Sequence, residues 1–76
     1  MIGGRLSKRS FTLAGHRTSV ALEPEFWAVL DALARIEGRT LSAFVAAIDA
    51  GREPSRPLAS ALRVRALAGV TIAHDV

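Results

Sequence analysis

Hydrophobic positions along this chain follow two periods in turn, first two residues and then about three and a half. From His16 to Leu22, Val20 and Leu22 point one way while Arg17, Ser19 and Ala21 point the other. That alternation is a strand with one face to bury. Glu23-Pro24 stops it. Proline lacks an N–H and suits the first turn of a helix, so a strand over residues 16–22 should pass into a helix with almost no loop. Upstream, Ser10-Phe11-Thr12-Leu13 alternates again, and Ala14-Gly15-His16 offers a turn. Gly15 can supply the positive φ of a hairpin. Equally, residues 10–15 can extend an N-terminal arm with some strand character, which is the arrangement favoured at this point.

The helical period then takes over. Phe26, Leu30 and Leu33, with Trp27, Leu30 and Ala34, repeat at i, i+3/i+4 and i+7 and predict a first helix over about 24–37. Glu23 and Glu25 at its start and Arg35 near its end match the helix dipole, and Gly38 is the expected stop. At this spacing Trp27 reads as a core or dimer-interface residue rather than a recognition aromatic. A second helix should start after Thr40 as N-cap and reach about Gly51, burying Leu41, Phe44, Val45 and Ile48. Arg39, Thr40 and Ser42 cluster where its N–H groups are unpaired. That is either a phosphate site or an ordinary cap, and both readings stand open here. Residues 52–56 form a polar linker, and a third helix is expected over 57–68 with Leu58, Ala61, Leu62 and Ala66 on one face. Arg63 and Arg65 could touch phosphate but read as solvated or as partners in intersubunit salt bridges. Gly69 should end the helix and leave 69–76 as a tail.

Composition changes this picture in two ways. A chain of 76 residues is one domain at most and marginal alone, and such folds usually add disulfides, a metal or a second chain. With no cysteine and only two isolated histidines, His16 and His74, oligomerisation is what remains. The strand over 16–22 is therefore read as pairing with its copy in a second chain. Charge adds the second point. Arg5, Lys8, Arg9 and Arg17 lie in the first twenty residues with no acid among them, whereas Ala21 to Arg56 holds six acids and four arginines. A basic arm over 1–9 and a basic strand are what a polyanion-binding surface looks like. Nine of the ten cations are Arg, the better fork for phosphates and guanine edges. No stretch reads as a signal peptide or membrane span, so a cytoplasmic protein is expected.

Strand, helix, Gly38-Arg39-Thr40 turn, helix: this order resembles the ribbon–helix–helix (MetJ/Arc) superfamily, with the matching core from Arg17 to about Arg52. The chain is more closely similar to a small ribbon–helix–helix family of mostly alphaproteobacterial genomes. Gly15-His16-Arg17-Thr18-Ser19-Val20-Ala21-Leu22-Glu23-Pro24-Glu25-Phe26-Trp27 carries that likeness. So do Leu41-Ser42-Ala43-Phe44-Val45-Ala46-Ala47-Ile48-Asp49 and Ser60-Ala61-Leu62-Arg63-Val64. The resemblance implies a mainly α fold with one N-terminal strand. It further implies an intertwined homodimer with a two-stranded antiparallel intermolecular ribbon, here followed by the third helix. Its core over 10–52 would include Val20, Leu22, Phe26, Trp27, Leu30, Leu33, Leu41, Phe44, Val45 and Ile48 at the dimer centre.

The resemblance also implies a function. In that superfamily the ribbon enters the major groove of double-stranded DNA, and alternate outward side chains touch base edges. On this chain those positions are Arg17, Ser19 and Ala21; Ala21 departs from the more usual polar residue and offers only apolar contact. The family's phosphate clamp falls on Thr40, Leu41 (through its backbone) and Ser42, with Arg39 beside it, which favours the phosphate reading of that helix start. Arg5, Lys8 and Arg9 would add phosphate contacts. The expectation is a DNA-binding transcriptional regulator, with dimers of dimers on DNA an open arrangement. The alternative is an antitoxin-like module that binds a protein through residues 57–76. No glycine-rich phosphate loop, nucleophile–base pair or metal spacing is present, so neither an enzyme nor a cofactor or metal site is expected.

Overall fold

The computed structural model describes residues 5–74, with side-chain surroundings given up to Val70. Its order is β1 (Ser7–Leu13), β2 (His16–Leu22), α1 (Pro24–Ile36), α2 (Leu41–Gly51) and α3 (Leu58–His74). The two strands form one antiparallel ribbon, with Ser7 opposite Leu22, Ser10 opposite Ser19 and Leu13 opposite His16.

The ribbon is two-stranded and antiparallel, but both strands belong to one chain, where a ribbon shared between two chains was expected. The connection is the two residues Ala14 (φ 51°) and Gly15 (φ 82°). Positive φ at both central positions is the type I′ geometry, whose twist matches that of the flanking strands. Glycine takes such a conformation without penalty; alanine pays for it in Cβ–carbonyl crowding. The N-terminal arm is corrected in the same way. Ser7, Lys8 and Arg9 are strand rather than arm, because the hairpin gives their backbone groups partners. Met1 to Gly4 lie outside the described residues.

The inner face of the ribbon supplies Phe11, Leu13, Val20 and Leu22, all buried. They meet Trp27, Leu30 and Ala34 of α1, Phe44 and Val45 of α2, and Leu62 and Ala66 of α3. Trp27 lies against Phe11 with ring centroids 5.9 Å apart, and its indole N–H donates to the Ser7 carbonyl at 2.7 Å. Of the residues expected at a dimer centre, Val20, Leu22, Trp27, Leu30, Phe44 and Val45 are thus buried within a single chain, while Phe26, Leu33, Leu41 and Ile48 pack at the core's edge. The third helix and the extra strand provide cover that was expected from a partner.

Helix ends follow local chemistry. After α1, Gly38 (φ 70°) donates its N–H to the Arg35 carbonyl at 3.0 Å, and Arg39 donates to the Ala34 carbonyl at 2.9 Å. That pair of bonds is a Schellman stop. At the start of α2 the Thr40 hydroxyl accepts the Ala43 N–H at 3.1 Å, as an N-cap should. Gly69 does not end α3, which continues to His74, so much of the expected tail is helix. A Cβ at Gly69 would lie 2.7 Å from Leu33 Cδ1. The glycine therefore serves the approach of α3 to α1 rather than a helix stop. Beside that contact, α1 and α3 leave an exposed apolar groove that includes Val29, Ile36, Leu67 and Val70.

Candidate nucleic-acid interface

Alternation turns the other half of each strand away from the core. Lys8, Ser10 and Thr12 of β1 and Arg17 and Ser19 of β2 are exposed, and Ala21 is half-exposed. Register places them in three cross-strand pairs: Lys8 with Ala21, Ser10 with Ser19, and Thr12 with Arg17. The two serine hydroxyls are 3.0 Å apart, and an Arg17 Nη1–H donates to the Thr12 hydroxyl at 3.2 Å. The outward surface is therefore a small polar platform. Arg17, Ser19 and Ala21 lie on it together, as the sequence suggested. Ser10 and Thr12 lie on it too and were missed. Their signal was the Ser10-Phe11-Thr12-Leu13 alternation, which carries no information about which strand it joins.

Ion pairing divides the cations of the surface into two sets. Among the described residues, five arginines hold carboxylates: Arg9 with Asp31, Arg39 with Glu37, Arg52 with Asp49, Arg63 with Glu23 and Arg65 with Glu37. Lys8 and Arg17 hold none among the described residues, and neither do Arg5, Arg35 and Arg56 away from the platform. Their charge stays available to an anion.

Arg9, also expected to contact phosphate, is engaged within the chain. It lies on the inner side of β1, its guanidinium stacked 4.9 Å over the Trp27 ring and bonded to both Asp31 oxygens at 3.2 and 3.3 Å. The odd–even difference from Lys8 decides this. Arg63 and Arg65, read as solvated or intersubunit, bond within the chain and lie over Phe26 and Phe44 at 5.8 and 5.4 Å. Glu23, which receives Arg63, has its pKa lowered by the hydrogen bond from its own backbone N–H and by that guanidinium.

At the start of α2 the Thr40 hydroxyl is occupied by the Ala43 N–H, and Phe44 is the first residue to bond back to the Thr40 carbonyl. The N–H groups of Leu41 and Ser42, first in the helix, are left for an outside acceptor. Ser42 is exposed. Arg39 stands next to them, its guanidinium 3.5 Å from Glu37. Arg5 is exposed at the beginning of the described chain.

Nothing in this arrangement gathers ligands for a metal: among the described residues no group of three or more His, Asp or Glu is placed to hold one. No helix of the described residues is long and apolar enough to cross a membrane. No curated protein and no solved structure matches the chain. One family profile does, described as a ribbon-helix-helix domain and covering residues 6–70, from the residue before β1 into α3. With a two-stranded ribbon leading into its helices and that match over most of its length, the chain belongs to the ribbon–helix–helix domain family.

Proposed function

We propose that this protein is a sequence-specific DNA-binding transcriptional regulator that acts as a homodimer and lays the outward face of its ribbon in the major groove. The carrying observation is that face itself: hydroxyls flanked by Lys8 and Arg17, two cations with no carboxylate partner among the described residues, backed by an apolar inner face that fixes the ribbon on the helices. Arg17 suits guanine O6 and N7, Ser19 can bond several bases, and Ala21 offers contact to a thymine methyl. The N–H groups of Leu41 and Ser42, with Thr40, Arg39 and Arg5, supply phosphate contacts that orient the ribbon. Because each chain closes its own ribbon, the second copy in this reading joins elsewhere, and the apolar groove between α1 and α3 is one exposed surface suited to it.

Molar mass in solution, measured with and without a random-sequence duplex at low and moderate salt, tests the proposal. A dimer that takes up duplex and releases it as salt rises is the expected result, since phosphate contacts displace counterions. A stable dimer indifferent to DNA would move the function to a protein partner, as in an antitoxin. A monomer that binds duplex would keep the ribbon and discard the dimer.

A further inference from the structure

The two strands are near-copies of each other at an offset of nine residues. Lys8 corresponds to Arg17, Ser10 to Ser19, Phe11 to Val20 and Leu13 to Leu22. In the antiparallel register this offset is a local two-fold axis, which passes between Ser10 and Ser19, directly opposite each other and 3.0 Å apart at their hydroxyls. The same operation carries Thr12 onto Ala21, the one outward position where the copies differ in polarity. The two outward cations, the central hydroxyls and the buried apolar positions obey the axis, while inward Arg9 falls on Thr18. One hairpin thus reproduces within a single chain much of the two-fold character of a ribbon made from two.

We infer that one chain's hairpin is by itself a complete base-reading unit, in which Lys8, Ser10 and Thr12 of β1 read bases beside Arg17, Ser19 and Ala21 of β2. This rests on the DNA-binding reading above and assigns to β1 a role that the sequence placed on β2 alone. Lys8 and Arg17 stand at diagonally opposite corners of the platform, four residue steps apart along the ribbon. At ~3.4 Å per residue that is about 14 Å, or some four base-pair steps at ~3.4 Å each. A ribbon fits the major groove, roughly 12 Å wide, with both corners over base edges. The unit reads a short, nearly palindromic element. Lys8 and Arg17 contact its two ends, and the symmetry breaks where Thr12, which can bond a base, is matched by Ala21, which cannot.

The test is duplex selection from a randomised library with the full-length protein, followed by binding of Lys8→Ala, Arg17→Ala and Thr12→Ala to the selected duplex and to every single-base change in it. Each cation variant is expected to lose roughly five- to a hundredfold in affinity. Each should also relax its own base position, the two lying on opposite sides of the element's centre. Thr12→Ala should relax a third position and make the preference more symmetric. If Arg17→Ala relaxes a base but Lys8→Ala weakens all sequences equally and only lowers the salt dependence, β1 is an electrostatic flank and the inference fails while DNA binding stands. If the unmodified protein selects no sequence, the proposed function itself fails.

Discussion

Lys8 and Arg9 are neighbours with the same charge, and they live in different environments. Arg9 is folded over Trp27 and held by Asp31, so its charge is engaged within the chain although the pair stays partly exposed. Lys8 projects from the opposite side of the same strand with no acid partner among the described residues. The contrast extends to the whole ribbon. Its inner face, with Phe11, Leu13, Val20 and Leu22, is the roof of the core, and its outer face is a hydroxyl platform with cations at two corners. A strand's period of two lets one seven-residue segment carry both stability and recognition without compromise between them. Along this ribbon, charge available for binding is set by which side of the strand a residue occupies.

Substitutions on the two faces should therefore separate stability from DNA binding, and the largest effect is expected on the inner face. Leu22→Ala removes a fully buried side chain and should cost about 2–5 kcal/mol, much of the stability of a domain this small. Thermal unfolding measures it; a loss below 1 kcal/mol would mean that the strand is not the roof of the core. On the outer face Arg17→Ala should leave the melting temperature within a degree or two and cost about 1–3 kcal/mol of binding to a selected duplex. A variant that unfolds early would show that the two faces are not independent.

The turn joining the strands allows both faces to be sharpened at once. Ala14→Asn puts the favoured type I′ residue at a positive-φ position and should stabilise by about 1 kcal/mol, read as a higher unfolding midpoint. No gain would argue against the intrachain hairpin. Asp31→Asn probes the difference between Arg9 and Lys8 directly. The pair is more than a third exposed, so its loss should cost under ~1 kcal/mol. It leaves Arg9 stacked on Trp27 and on the inner side, so the salt dependence of DNA binding should not change; a steeper dependence would mean that Arg9 can reach phosphate after all.

The smallest effect is expected where β2 leaves the ribbon. The folded-state pKa of Glu23 is depressed by its backbone N–H and Arg63. A depressed carboxylate stabilises the fold at pH above its unfolded value, and the contribution fades as pH falls through the carboxylate range towards the folded value. Glu23→Gln should flatten the stability–pH curve in that acidic window and leave it unchanged near neutrality, which denaturant titrations at several pH values would check.

Much of this was readable from the chain itself. Val20 and Leu22 against Arg17 and Ser19 mark β2 at its observed bounds, and Pro24, Gly38 and Thr40 mark the helix boundaries, because alternation, proline geometry, a positive-φ stop and an N-cap are all local requirements. The outward positions of β2 follow from the same parity. What the local pattern does not announce is which strand pairs with which. The Ser10–Leu13 alternation is visible, but Ala14 stands where a hairpin's usual asparagine or glycine would announce the turn. The sequence therefore favours an extended arm over the hairpin it also allows and pairs β2 with its own copy in a second chain.

Local rules thus determined which residues form strands and helices and which way each side chain of a strand points. Only the tertiary structure decided what those sides face. Arg9 became a partner within the chain because Asp31 and Trp27 of α1 lie beneath it, and Lys8 became a corner of the platform because it projects to the other, exposed side. Gly69 shows the same division: by itself glycine reads as the end of a helix, yet α3 runs on, because Leu33 of α1 occupies the space a side chain would need. The physical reason is common to all three. Periodicity and capping are written in residues a few positions apart, whereas the contacts that decide these cases join residues some 20 to 40 positions apart, and only packing brings those together.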